Sequence, residues 1–207
     1  MSIESWLLFI AVSLVPAVSP GPGVMLAIHN TLRFGRNATL ASASGNALGL
    51  VCIGFAVAFG FGALMATSAV AFTVLKLIGA AYLIYIGVKV WRDKSSFNTL
   101  ENDLEGRKSY RMLFGQAFLV SITNPKAILV ITALFPQFMS KSGFHLDQTI
   151  ILSVTYAVLC WANHAAIAYA GENVRRFLTS EKRLSMTRRI TGGLFVGFGA
   201  ALATASR

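Results

Sequence analysis

Apolar residues in this chain form blocks too long to be one face of a soluble helix. Trp6 to Leu32 and Leu48 to Gly62 contain no Asp, Glu, Lys or Arg. A helix rises ~1.5 Å per residue and the hydrocarbon core of a bilayer is ~30 Å thick, so ~20 apolar residues suffice to cross it. The pattern predicts an all-α membrane protein with six transmembrane helices, at 6–32, 38–62, 69–91, 112–137, 148–170 and 187–205. The connections fall at 33–37, 63–68, 92–111, 138–147 and 171–186.

Two of these blocks carry helix breakers near their middle. Ser19-Pro20-Gly21-Pro22-Gly23 interrupts the first. Proline lacks an amide hydrogen and clashes with the carbonyl four residues back, so Pro20 frees the carbonyl of Pro16 and Pro22 that of Val18. Asn124-Pro125-Lys126 interrupts the fourth. Asn is a favoured N-cap and Pro a favoured first helical residue, so Asn124-Pro125 predicts one helix ending and another starting inside the bilayer. Ser19-Pro20 offers the same pair of signals. Each restarted half-helix would turn its unpaired amides and positive dipole end to the midplane, where they suit an anion. Lys126, beside one of them, adds a cation. The preceding half-helices would end in open carbonyls, such as those of Val18 and Ser121, able to accept from an ammonium. A simple kink is the alternative for either proline site. Breaks in corresponding spans of two halves point instead to a transport site.

Six spans divide into three plus three. An odd number per half inserts the second half upside down, so the chain is expected to be a 3+3 inverted repeat with broken first and fourth helices. Residues 1–91 would form the first three-helix repeat, 92–111 a cytoplasmic linker and 112–207 the second repeat. The basic residues sort by side. Arg33 and Arg36, the group Lys89, Arg92, Lys94, Arg107, Lys108 and Arg111, and the group Arg175, Arg176, Lys182, Arg183, Arg188 and Arg189 fall on one face. Only Lys141 and Arg207 fall on the other. The positive-inside rule then puts both termini outside. Glu172 to Leu184 reads either as a plain basic loop or as a helix lying on anionic lipid.

Composition narrows the chemistry. The chain of 207 residues is 55% hydrophobic and 13% charged, with a net charge of +10. Soluble domains carry about a quarter charged residues, and the basic residues here sit in short clusters between apolar spans. Their charge is explained by orientation in a lipid bilayer, and no nucleic-acid partner is expected. The first span lacks a basic n-region before it and is expected to be retained. Lys126 near mid-bilayer costs about 2.5–3.5 kcal/mol on insertion scales, which favours a cavity or partner for it. Lys76 lies closer to a span end and can snorkel. His29 and His164, with Asn30 and Asn163 beside them, are candidates for proton coupling, although a membrane histidine more often bonds a neighbouring helix. Cys52 and Cys160 suggest neither a disulfide framework nor a metal site; an electron carrier working through paired cysteines is the alternative function. Gly45 and Gly49, with Ala41, and Gly193 and Gly197 form small-residue faces for helix packing. Trp6 and Trp91 read as interfacial anchors.

At these motifs the chain resembles the lysine exporter / homoserine–threonine resistance (LysE/RhtB) family of amino-acid exporters. The matching run is Pro20-Gly21-Pro22, Gly35-Arg36, Gly45 and Gly49, then Asn124-Pro125-Lys126 and Pro136-Gln137-Phe138; Lys76, Gly79 and Tyr82 to Gly87 add to it. Thr39 stands where the family often has glycine and Val130 where an aromatic residue is common. The resemblance implies amino-acid efflux across a bacterial inner membrane, without enzymatic activity or cofactor, by a homodimer that exchanges substrate for protons. The expected substrate site is Ser19, Pro20, Gly21, Pro22, Gly23, Asn124, Pro125 and Lys126, with His29 and His164 carrying protons and no metal. None of the eight acidic residues lies deep in a span. A lysine substrate would therefore bury a second cation without a countercharge, so a neutral, zwitterionic amino acid is expected.

Overall fold

The structure, a computed structural model, describes residues 1–67, 109–139 and 145–171, together with single residues between 74 and 92 and between 185 and 204. The described residues are helical, with no strand among them. Continuous helices run over α1 (Ile3–Val18), α2 (Pro22–Phe34), α3 (Arg36–Thr67), α4 (Tyr110–Ile122), α5 (Pro125–Phe138) and α6 (Leu146–Ala170). These six are not the six predicted spans. Arg36–Gly60 and Leu146–Ala170 are each long and apolar enough to cross a membrane, and α1–α2 and α4–α5 qualify only as bent pairs. Two of the predicted spans are thereby accounted for, and four if each bent pair is one span. The predicted spans at 69–91 and 187–205 are described only at single helical residues, and Lys76, most of the 92–111 linker and the stretch 172–184 lie outside the described residues.

Local chemistry sets the helix ends. The Ser2 and Ser109 hydroxyls accept from the amides of Ser5 and Met112, capping α1 and α4. Gly35 ends α2 at φ 81°, a backbone region that a side chain would strain, and lets α3 double back at once. That reversal is held by the Thr31 and Thr39 hydroxyls, 3.0 Å apart, so the threonine that departs from the family pattern has a structural use.

α3 packs against α2, α4, α5 and α6. Its small-residue face explains how close it comes. A Cβ on Gly45 would collide with the Phe114 carbonyl, and one on Gly49 would lie 2.7 Å from Ser121 Cβ. A Cβ on Gly54 would meet Ser153 and the Phe135 ring. The glycines thus serve packing within the chain. Phe9 of α1 stands edge-on to Phe135 and Phe138 of α5, with centroids 5.9 and 5.2 Å away, and Leu50, Ile53, Val130, Ile131 and Leu152 complete the apolar core. Val130 is fully buried there. The exterior is apolar, with Leu7, Leu8, Val18, Leu119 and Val158 exposed, whereas Ser13, Ser19, Asn30, Thr39, Asn46, Ser121 and His164 are buried. This inside-out distribution suits lipid as solvent.

Candidate functional site

The second half-helix at the first break starts later than Ser19-Pro20 suggested. α1 ends with Ser19 as its C-cap, whose amide donates to the Val15 carbonyl. Gly21 is fully extended and is the N-cap of α2, which starts at Pro22. The reason is steric. A helix starting at Pro20 would need Gly21 in helical geometry directly before Pro22, which pre-proline contacts disfavour. Ser19 is therefore not the cap; its hydroxyl is buried and unpartnered. The carbonyls released near the break find side-chain donors. Asn163 Nδ2 donates to Ala17 O at 3.1 Å, and Lys126 Nζ donates to Ser19 O at 2.7 Å.

At the second break Asn124 is the N-cap, as its sequence implies. Its Oδ1 accepts from the Lys126 amide at 3.0 Å, and Pro125 occupies the first helical position. The Ser121 carbonyl, expected to be open, accepts from the Asn124 amide at 3.1 Å. Ser121 instead packs its buried side chain against Gly49. Each pair of half-helices bends by 59° at its break.

The two breaks, more than a hundred residues apart in sequence, meet at Lys126. Between them lies a cavity of about 370 Å³ of atom-free space, part of it open to the surroundings. Gly21, Gly23, Asn124, Lys126 and His164 line it, with Pro16, Val24, Asn46, Leu50, Tyr156 and Cys160 among the other walls. No acidic residue is among them. The start of α2 has no side-chain cap, so the Gly23 and Val24 amides, which precede the first intrahelical bond, face this region with the positive end of the helix dipole. The lining thus combines an ammonium, helix amides and neutral hydrogen-bonding side chains, a donor set for a carboxylate.

Not all the expected site residues come together. Pro20 and Pro22 set the backbone without lining the cavity, and Ser19 meets the site through the bond its carbonyl accepts from Lys126. His29 does not line it; its ring sits against Phe34, with centroids 6.1 Å apart. Asn30 is buried and donates to Ser42 at 3.0 Å rather than lining a vestibule. Trp6 Nε1 donates to Thr155 Oγ1 at 3.0 Å, so it ties α1 to α6 besides any interfacial role. Besides apolar residues, three lining residues with polar side-chain atoms were missed as site residues: Asn46, Tyr156 and Cys160. Tyr156, Cys160 and His164 recur every fourth residue along α6, so they share one face, and that spacing was a readable signal. For Asn46 the signal was a carboxamide inside an apolar span. Cys160 is buried and Cys52 exposed, both with free thiols. Among the described residues no group of three His, Cys, Asp or Glu could hold a metal.

Comparison with known proteins shows which family the chain belongs to. The chain is 35% identical over 209 residues to an uncharacterized membrane protein of Vibrio cholerae, covering 99% of each. It is 32% identical over 205 residues to the homoserine/homoserine lactone efflux protein of Salmonella typhimurium, covering 99% of this chain and 98% of that one. It is 31% identical over 204 residues to the uncharacterized membrane protein YrhP of Bacillus subtilis, covering 95% and 97%. No solved structure matches. The model of the LysE type translocators matches residues 14–206, and the chain belongs to that family.

Proposed function

We propose that this protein is a secondary transporter that exports a small neutral, zwitterionic amino acid across the bacterial inner membrane in exchange for protons. The observation that carries the proposal is the meeting of two broken spans at one cavity, through the 2.7 Å bond from Lys126 Nζ to Ser19 O. The substrate carboxylate binds the Lys126 ammonium and the Gly23 and Val24 amides. As the carboxylate takes the ammonium, the Ser19 carbonyl is released and accepts from the substrate's own ammonium. Both ends of a zwitterion are thereby satisfied where bulk water is absent. Among the described residues the lining holds no carboxylate, so a second cation on the substrate would lie near Lys126 without a countercharge. Homoserine, one of the two compounds in the name of the Salmonella relative, is of this substrate class, whereas its lactone has no free carboxylate to meet Lys126.

In the same reading, 1–91 and 112–207 are inverted halves joined by a cytoplasmic linker, with both termini periplasmic and two copies forming a homodimer. The equal bends of the two pairs support the repeat. His164, at the cavity wall, is the better placed of the two proton-coupling candidates. A thiol–disulfide electron carrier is disfavoured, since one cysteine is exposed and the other buried.

Counterflow in proteoliposomes with a panel of radiolabelled amino acids tests the function. Uptake of a neutral amino acid should exceed that of lysine and respond to an imposed pH gradient at constant membrane potential. Preference for lysine over every neutral amino acid would defeat the substrate class. Indifference to the gradient would defeat proton exchange alone.

A further inference from the structure

Asn46 sits on α3, one residue after the glycine that lets α3 touch α4. Only 7% of it is exposed, and it lines the cavity. Its carboxamide faces the cavity and is not tied to a neighbouring helix among the described residues. The other buried polar side chains of α3 are committed to neighbours: Thr39 bonds to Thr31, and Ser42 accepts from Asn30. The amide opens onto the cavity, and once a bound molecule seals it there, a carboxamide left with neither donor nor acceptor satisfied is costly. Polar contact from a ligand would complete it.

The position of the group fits that use. A Cβ built on Gly21 would lie 3.2 Å from Lys126 Nζ, and one built on Gly23 would lie 3.0 Å from Asn46 Oδ1. Lys126 and Asn46 therefore flank the two ends of the Gly21–Gly23 segment, whose α-carbons are at most ~7 Å apart. A four-carbon amino acid with a terminal hydroxyl spans about 5 Å from carboxylate carbon to hydroxyl when extended, from ordinary bond lengths. With its carboxylate at Lys126, its side-chain tip falls toward Asn46 and the neighbouring His164, whose Cε1 lies 3.6 Å from the same Cβ position on Gly23.

We infer that Asn46 is a specificity-determining residue, whose carboxamide hydrogen-bonds the polar tip of the transported molecule's side chain and so rejects an apolar side chain of the same shape. This rests on the amino-acid transport reading of the cavity. A hydroxyl can both donate and accept, and therefore satisfies either end of the amide. A methyl in its place leaves the amide unpaired and buried, which is the stronger source of discrimination.

The probes are homoserine and norvaline, which differ by a hydroxyl against a methyl. Each unlabelled compound competes against radiolabelled homoserine counterflow in proteoliposomes, for wild type, Asn46→Leu and Asn46→Ala. Wild type should favour homoserine over norvaline by roughly tenfold or more in inhibition constant. Both variants should bring the two constants together, mainly through a weaker constant for homoserine. Equal inhibition of wild type by the two compounds, or a preference retained in either active variant, overturns the inference and leaves the transport reading standing. Failure of wild type to move any amino acid overturns both.

Discussion

Lys126 would be an expensive residue on an unbroken membrane helix, and its surroundings show how the expense is offset. Asn124 caps the turn that carries it, and the Ser19 carbonyl, released by the first break, accepts its ammonium at 2.7 Å. The cap is local to the second break, and the bond to Ser19 joins the two. Asn124→Leu removes the acceptor for the Lys126 amide, with a loss of about 1 kcal/mol expected for a helix cap, and leaves that amide unpaired where water is absent. The expected outcome is a protein that inserts and purifies normally but transports poorly. Counterflow on purified Asn124→Leu checks it, and wild-type affinity in that variant would contradict the role given to the cap. Other buried polar atoms have a steric reading. Ser121 and Ser153 have unpartnered hydroxyls, and both lie against α3 glycines, where a larger residue would push the helices apart.

Among the described glycines, the tightest approaches between helices are on α3. A Cβ at Gly45 would collide with the Phe114 backbone carbonyl, an atom that no side-chain rotation can move. Gly45→Val should therefore separate α3 from α4 and lower thermal stability by several degrees, against little change for valine at Gly60, where nothing lies within 4 Å. Thermal unfolding of the two variants in detergent makes the comparison. The packing role of Gly45 and Gly49 was legible in their four-residue spacing, and the breaks were legible because proline and glycine act through their own backbone. The exact restart of α2 was not, because Ser19-Pro20 and Gly21-Pro22 both resemble a cap and first turn, and the choice depends on the steric effect of the second proline on Gly21. The walls contributed by α3 and α6 were harder still. Which side of a nearly uniformly apolar helix faces inward is decided by its neighbours, so Asn46 and Tyr156 gained a place in the site only once α2, α3 and α6 were in position.

For the whole molecule, the distribution of arginine and lysine between connections predicts that both termini face the periplasm. In a background with Cys52 and Cys160 replaced by alanine, an impermeant thiol reagent should label Ser2→Cys and Ser206→Cys in intact cells and spare Ser96→Cys. The reverse pattern would invert the topology. Orientation matters to the mechanism because an exporter must take its substrate from the cytoplasmic side, where the basic connections would lie. The central claim is that the two breaks build one substrate site around the Lys126 ammonium. Counterflow of radiolabelled homoserine by wild type and Lys126→Met, reconstituted at equal amounts and equal monodispersity, tests it most directly. The account predicts that the methionine variant, which keeps the bulk and loses the charge, falls roughly hundredfold in transport efficiency. Transport by Lys126→Met with an unchanged KM and rate would contradict it.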